Sequence, residues 1–218
     1  YAMTEHIENA GVHSGDAHAV FPPQRTYLET IRRTKQRMRD VVKALNITGP
    51  FNVQFLAKDN QIKIIELNLR ASRSFPFVSK SAKINFARIA TEIMLGKSVS
   101  VDFKRFDLDY VTVKAPQFSY SRIKGADPIL YVEMGSTGEV AAFGDGYQEA
   151  VLKAMLAAGY TIPERKRLLI SVGLDTHKAS LISFVKKLAK HHYSLFGTEG
   201  TATFFRKQGI KIKTIRKG

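Results

Sequence analysis

The sequence contains no cysteine, which excludes disulfide bridges and thiolate metal sites. It has no apolar run of about eighteen residues or more, so no transmembrane helix is expected. The opening segment YAMTEHIENA lacks the basic start and apolar stretch of a secretory signal. These absences suit a cytoplasmic protein, with a mitochondrial compartment left open. Acidic residues are scarce in one region only. Residues 1–150 carry 20 Lys+Arg against 16 Asp+Glu, whereas residues 151–218 carry 14 against 3. Most of the net charge of +15 therefore lies in the last third. A basic third attracts nucleic acid or small anions such as nucleotides and phosphates. No RNA-recognition aromatic motif, zinc-finger spacing or arginine-rich arm accompanies it. Small anions are the expected partners, and neither nucleic acid nor a membrane is.

The 218 residues, 44% of them hydrophobic and 24% charged, suffice for a full core in one or two domains. EHIENAGVHSGDAHAVFPP reads as strand, polar loop and strand, closing at Pro22. Leu28, Ile31, Met38, Val41, Val42 and Leu45 recur near helical spacing over 27–45, and ITGP ends that helix. A hairpin follows, turning at Lys58-Asp59-Asn60. Phe86, Ile89, Ala90, Ile93 and Met94 form a clean apolar stripe, which predicts a core helix over 86–95. DYVTVKAPQF reads as a strand, EMGSTGEVAAFG as a loop between short strands, and 146–158 as a helix. After GYTIPERKR the texture changes. LLISVG, a helix over 176–190, the strand–turn–helix YSLFGTEGTATFFRKQG and the strand IKIKTI give a βαβαβ order. That order predicts a parallel sheet and a second, α/β domain, with the boundary near 161–166. Both ends of the chain read as cut through a continuing pattern.

The hairpin carries chemistry at its open end. With the turn centred on Asp59, residues whose numbers sum to about 120 face each other, which sets Gln54 opposite Glu66. Asn68, two residues on, shares their face. One carboxylate and two amides then converge as hard oxygen ligands of the kind magnesium takes, with positions left for water and phosphates. Arg70 and Arg73 lie just beyond and suit a transferring phosphoryl group. The alternative is a solvated hairpin end whose polar groups meet only water. Val53, Phe55, Ile62, Ile64 and Ile65 show that both strands pack on something, leaving the polar face to line a cleft.

The segments GVHSGD, FNVQF, IIELNLRASRSFPFVSK, KAPQF, ADPIL and EMGSTGEV, in this order, resemble the second ATP-grasp half of the carbamoyl-phosphate synthase large chain. The resemblance implies an α+β ATP-grasp subdomain, an antiparallel sheet with helices, over 1–163. Over 164–218 it implies the start of a methylglyoxal-synthase-like regulatory domain, a partial α/β parallel sheet. The implied activity is that of a ligase: ATP- and Mg2+- (or Mn2+-) dependent phosphorylation of carbamate to carbamoyl phosphate, for pyrimidine or for arginine and urea synthesis. Gln54, Glu66 and Asn68 match the family's metal ligands, and Gln54 and Glu66 also reach the nucleotide phosphates through the ions. Gly11, Val12, His13 and Ser14 match the strip that contacts ATP, with His13 a binding group and not a base. Arg70 matches the arginine that meets the phosphoryl group, and Arg73 ranks second. The implied partners are the remainder of the synthase chain and a glutaminase domain or subunit. Nothing here matches the adenine pocket or the lid over the phosphates, so a piece of this extent is expected to be inactive alone.

Some positions depart from the family pattern. Leu69 stands where bacterial members carry proline, as in animal and fungal pyrimidine-pathway forms. Glu8 and Asp16 match two acids of the ornithine effector site, but Ala115 replaces the third, which argues against ornithine activation. In the basic end, Lys178, Thr198, Thr201 and Lys217 match positions that hold a nucleotide monophosphate effector, while the charge of Glu199 opposes an anion. A glycine turn entering a helix N-terminus, at Gly200, presents free N–H groups to a phosphate. Two rival readings remain: another ATP-grasp carboxylate or bicarbonate ligase, and a non-catalytic basic anion-binding module.

Overall fold

The computed structural model describes residues 1–100, 108–121, 125, 127, 129 and 133–216. The chain divides into two compact units, Tyr1–Tyr160 and Thr161–Gly218. In the first, strands β1 (Glu5–His6), β2 (Ala19–Phe21), β5 (Val111–Phe118) and β6 (Ser136–Gly144) form an antiparallel sheet in the order β1-β2-β5-β6. The sheet lies between helices. Val20, Val111, Val113 and Ala115 pack with Ala150 and Ala154 of helix α4 (Tyr147–Ala157). Ala19 and Phe21, on the other face, pack with Phe77 and Ala82 of helix α2 (Ser74–Ala82). Cover on both faces explains why VTVKAPQF shows no polar–apolar alternation. Thr112, fully buried, donates to Phe21 O at 3.2 Å and bonds Ser81 Oγ at 2.8 Å. Lys114 is buried as well, its Nζ 3.3 Å from Glu139. An unpaired buried cation would be strongly destabilising. At Gly144 a Cβ would stand 2.6 Å from the backbone nitrogen of Ala150, so only glycine lets β6 approach α4 this closely.

Strands β3 (Asn52–Lys58) and β4 (Gln61–Asn68) form a separate two-stranded sheet beside helix α1 (Leu28–Ala44). Asp59 and Asn60, with φ of 51° and 60°, make the two-residue turn whose twist suits a hairpin. Thr30, buried on α1, donates to Asn60 Oδ1 at 2.9 Å. The buried side chains of α1 are Thr30 and Thr34, while Leu28 and Leu45 at its ends are exposed.

Two sequence expectations need correction in this unit. The segment 133–144 is not a loop between short strands: from Ser136 onward it is one nine-residue strand paired with β5. Its glycines are tolerated because one sits at a bulge and one against α4. Helix α3 (Phe86–Met94) exists, but no residue in it is buried, and Ile93 and Met94 are 45% and 56% exposed. An apolar stripe records which side avoids water, and Phe86 and Ile89 do reach the Phe77 cluster. The far end of the stripe has no such cover among the described residues.

The second unit is a parallel sheet, β7 (Arg167–Ile170), β8 (Ser194–Thr198) and β9 (Lys213–Ile215), in the order β7-β8-β9. Helices α5 (Asp175–Ser180), α6 (Ile182–Lys190) and α7 (Glu199–Lys207) make the crossovers. Val185, Leu195, Ala202 and Phe205 form its core. The single helix expected over 176–190 is divided at Leu181. Among the described residues, no helix is long and apolar enough to cross a membrane.

Candidate functional site

The hairpin register is decided by one extra residue. Near the turn Lys58 pairs with Gln61 and Phe55 with Ile64, so a regular ladder would set Gln54 against Ile65. A bulge at this point passes over Ile65 and pairs Gln54 with Glu66, followed by Val53 with Leu67 and Asn52 with Asn68. A one-residue slip exchanges the faces of every side chain beyond it. The bulge therefore turns Glu66 and Asn68 onto the face of Gln54. Asn68 Nδ2 donates to Glu66 Oε1, and Arg70 Nη2 donates to Asn68 Oδ1 at 3.4 Å. Glu66 and Arg70 are exposed, while Gln54 and Asn68 are half-buried.

The hairpin meets the 11–16 loop through a hydrogen bond from Gln54 Nε2 to Ser14 Oγ, 3.0 Å long. Two of the predicted groups of site residues are thus joined. Gly11 has φ +109°, which favours glycine, and Val12 is half-buried beside it. His13 Nδ1 accepts from Gly15 N at 3.0 Å, so the neutral ring carries its hydrogen on Nε2. Arg73, at the start of α2, donates from Nη1 to Met134 Sδ at 3.1 Å. Met134 also closes over Gly15, where a Cβ would come within 2.7 Å of that sulfur.

The residues present fit a hard divalent cation. Among the described residues no group of three His, Cys, Asp or Glu is placed to hold a metal, so any site here has to combine one carboxylate with amide oxygens. Gln54, Glu66 and Asn68 on one face of the hairpin form such a set, one suited to magnesium kept partly hydrated.

In the second unit, the ends of β7 and β8 come together. Thr201, 1% exposed, donates to Val172 O and accepts from Val172 N and Thr198 Oγ1, each at 3.1 Å. Its one hydrogen and both lone pairs are used within the protein. Lys178 is 7% exposed, with Nζ 2.8 Å from Asp175 Oδ1 and 5.7 Å from the centre of the Phe204 ring. Lys217 lies outside the described residues.

Residues 22–116 match the family model described as "ATP-grasp in the biosynthetic pathway with Ter operon", and residues 180–218 match the "MGS-like domain" model. The multifunctional protein ura1 of Schizosaccharomyces pombe is 51% identical over 99% of this chain, and the multifunctional protein CAD of Squalus acanthias is 48% identical over 98%. The human mitochondrial carbamoyl-phosphate synthase [ammonia] is 44% identical over 99%. The chain belongs to the carbamoyl-phosphate synthase family. It spans 10% of the length of the first two of these relatives and 15% of the third. Among solved structures, N5-carboxyaminoimidazole ribonucleotide synthetase from Thermus thermophilus superposes with a TM-score of 0.50 at 12% identity. The superposition covers 72% of this chain and 44% of that one, and it supports the ATP-grasp fold alone.

Glu8 and Asp16, the two acids that the sequence offers as effector-site candidates, are partnered inside the protein. Glu8 accepts from His18 N at 2.7 Å, and its other oxygen lies 2.5 Å from His18 Nδ1. Burial pushes the Glu8 carboxyl up, but His18 outweighs it and holds the group below the ordinary carboxylate range. Asp16 accepts from the backbone of Gly135 and Ser136, and Ala115 is fully buried. The pairing of Glu8 was not legible in the sequence, because His18 lies ten residues away across a loop.

Proposed function

We propose that this chain is the portion of a carbamoyl-phosphate synthase in which carbamate is phosphorylated by ATP to carbamoyl phosphate and ADP, within a pathway to pyrimidines or to arginine and urea. The observation that carries the reading is the bulge-set face of Gln54, Glu66 and Asn68, joined to the 11–16 loop by the Gln54–Ser14 hydrogen bond. In this reading Gln54, Glu66 and Asn68 hold Mg2+ or Mn2+. The bound ion would neutralise phosphate charge, which is the chemistry it supplies to phosphoryl transfer. Gly11, Val12, His13 and Ser14 border the nucleotide, with Gly11 allowing its backbone close approach. Arg70, fixed beside Asn68, donates to the transferring phosphoryl group, and Arg73 supports it from the start of α2.

The partners in this proposal are the remainder of the synthase chain and a glutaminase domain or subunit. For the second unit the reading is regulatory: a nucleotide monophosphate, with a uridine nucleotide as the expected member, at the ends of β7 and β8. Thr198 and Lys178 would border it, while Thr201 shapes the loop through Val172. The decisive experiment measures ATP formation from ADP and carbamoyl phosphate by the full-length protein and its Glu66→Ala variant. Loss of that reaction in a folded variant supports the reading, and near-normal ATP output removes it.

A further inference from the structure

Asp16 is fully buried, and both its oxygens are committed: Oδ2 accepts from Gly135 N and Oδ1 from Ser136 N, each at 2.8 Å. These partners lie far from Asp16 in sequence, so the carboxylate is a tie between two loops. The tie is doubled by Ser136 Oγ, which donates to Gly15 O at 3.1 Å. On its own side, Asp16 N donates to His13 O at 2.9 Å and closes the turn whose Ser14 receives Gln54. On the far side, the residue before Gly135 is Met134, and its sulfur lies between Gly15 and the guanidinium of Arg73. Burial raises the Asp16 carboxyl, yet its hydrogen bonds from Gly135 and Ser136 hold it below its ordinary range. It is an anion that only the correct loop pairing satisfies.

We infer that Asp16 is a positioning residue for phosphoryl transfer, locking the 11–15 loop and the Met134–Arg73 contact into one arrangement. It touches no reacting atom itself. The inference rests on the proposed ATP site and assigns that site its internal brace. The carboxylate is needed specifically, because each of its two oxygens faces a backbone donor of the 135–136 segment. In Asp16→Asn one amide oxygen still accepts, but its NH2 confronts the second N–H, so one donor is left buried without an acceptor. The loops then separate locally while the four-stranded sheet, held elsewhere, persists. A misplacement of about 1 Å in such a site lowers turnover efficiency about 100-fold.

The experiment uses the full-length protein and the reaction of ADP with carbamoyl phosphate, comparing wild type, Asp16→Asn, Ser136→Ala and Glu66→Ala. The expected result for Asp16→Asn is a KM for ADP raised about tenfold or more, kcat/KM lowered about 100-fold, and an unfolding midpoint close to wild type. Ser136→Ala, which removes only the Oγ bond to Gly15, shifts KM in the same direction by a smaller factor. Glu66→Ala separates the two levels of the argument. If it abolishes the reaction while folded Asp16→Asn keeps a wild-type KM, the brace is overturned and the site stands. If Asp16→Asn lowers only kcat, in step with loss of folded protein, Asp16 is purely structural and the inference is likewise overturned. If Glu66→Ala reacts normally, the underlying site falls and the inference with it.

Discussion

Strand β5 is buried along almost its whole length, whereas the hairpin β3–β4 of the same unit contains no buried residue at all. The four-stranded sheet has helices on both faces, so its side chains answer to packing. The hairpin has α1 near its turn and ends in exposed polar groups, so its side chains answer to geometry at one end. A framework and an arm thus lie side by side. Residues of the first set stability, and residues of the second set chemistry with little effect on folding.

The strongest way to break this division is to ask the arm to work in the open. An isolated polypeptide of residues 1–218 is expected to give no ATP-dependent carbamoyl phosphate, measured as trapped product. Glu66 and Arg70 stand in solvent, and phosphoryl transfer depends on positioned charge away from water. Sustained synthesis by that polypeptide would show the arm to be self-sufficient. Next in size, Arg70→Ala in the full-length protein lowers kcat about 10²–10³-fold with an unchanged unfolding midpoint. An equal fall in stability would mean that Arg70 belongs to the framework.

Stability should show the opposite pattern. Val113→Ala, at a fully buried position, lowers unfolding free energy by about 2 kcal/mol. Ile64→Ala, at a position 46% exposed on the hairpin, lowers it by less than about 1 kcal/mol. Denaturant titrations of the two variants decide whether the ranking holds. Acid tests the sheet side of the contrast through two groups at its β1 edge, His6 and Glu8. Burial, and then Lys114, hold His6 below its ordinary pKa, while Glu8 opposes them. A depressed histidine contributes stability above about pH 6.5 that is lost as the pH falls. Glu8, also depressed, contributes stability that is lost at lower pH, below about 4.5. Thermal midpoints should fall from pH 7 toward pH 4, and His6→Gln should flatten the upper part of that fall. The smallest expected effect is none: ornithine leaves the activity of the full-length protein unchanged. Clear activation would show that Glu8 exchanges His18 for a ligand ammonium group.

Much of this is legible in the sequence alone. The Asp59-Asn60 turn, the apolar β5, the βαβαβ order after residue 165 and the family resemblance of six separate segments all follow from local chemistry and motif order. Three features are not. The apolar stripe of α3 predicts burial, yet Ile93 and Met94 are largely exposed, because periodicity gives the direction of a face and not what covers it. The strand β6 hides behind its glycines, whose strand role depends on a helix close by. Helix α2 carries no strong stripe that would mark it in the sequence, since Phe77 and Ala82 hold it against the sheet.

The residue types at the hairpin end, and their alternation, belong to the sequence alone: Gln54, Glu66, Asn68 and Arg70 are there however the chain folds. Their meeting was decided in three dimensions. A two-residue turn by itself pairs Gln54 with Ile65, and only the bulge brings Glu66 across. A bulge re-aims every side chain beyond it, and nothing in the local residue types of this hairpin marks where it falls. The partners of Asp16 and Glu8 are of the same kind. A buried carboxylate must find donors, which the sequence implies, but which loop supplies them depends on how distant segments pack.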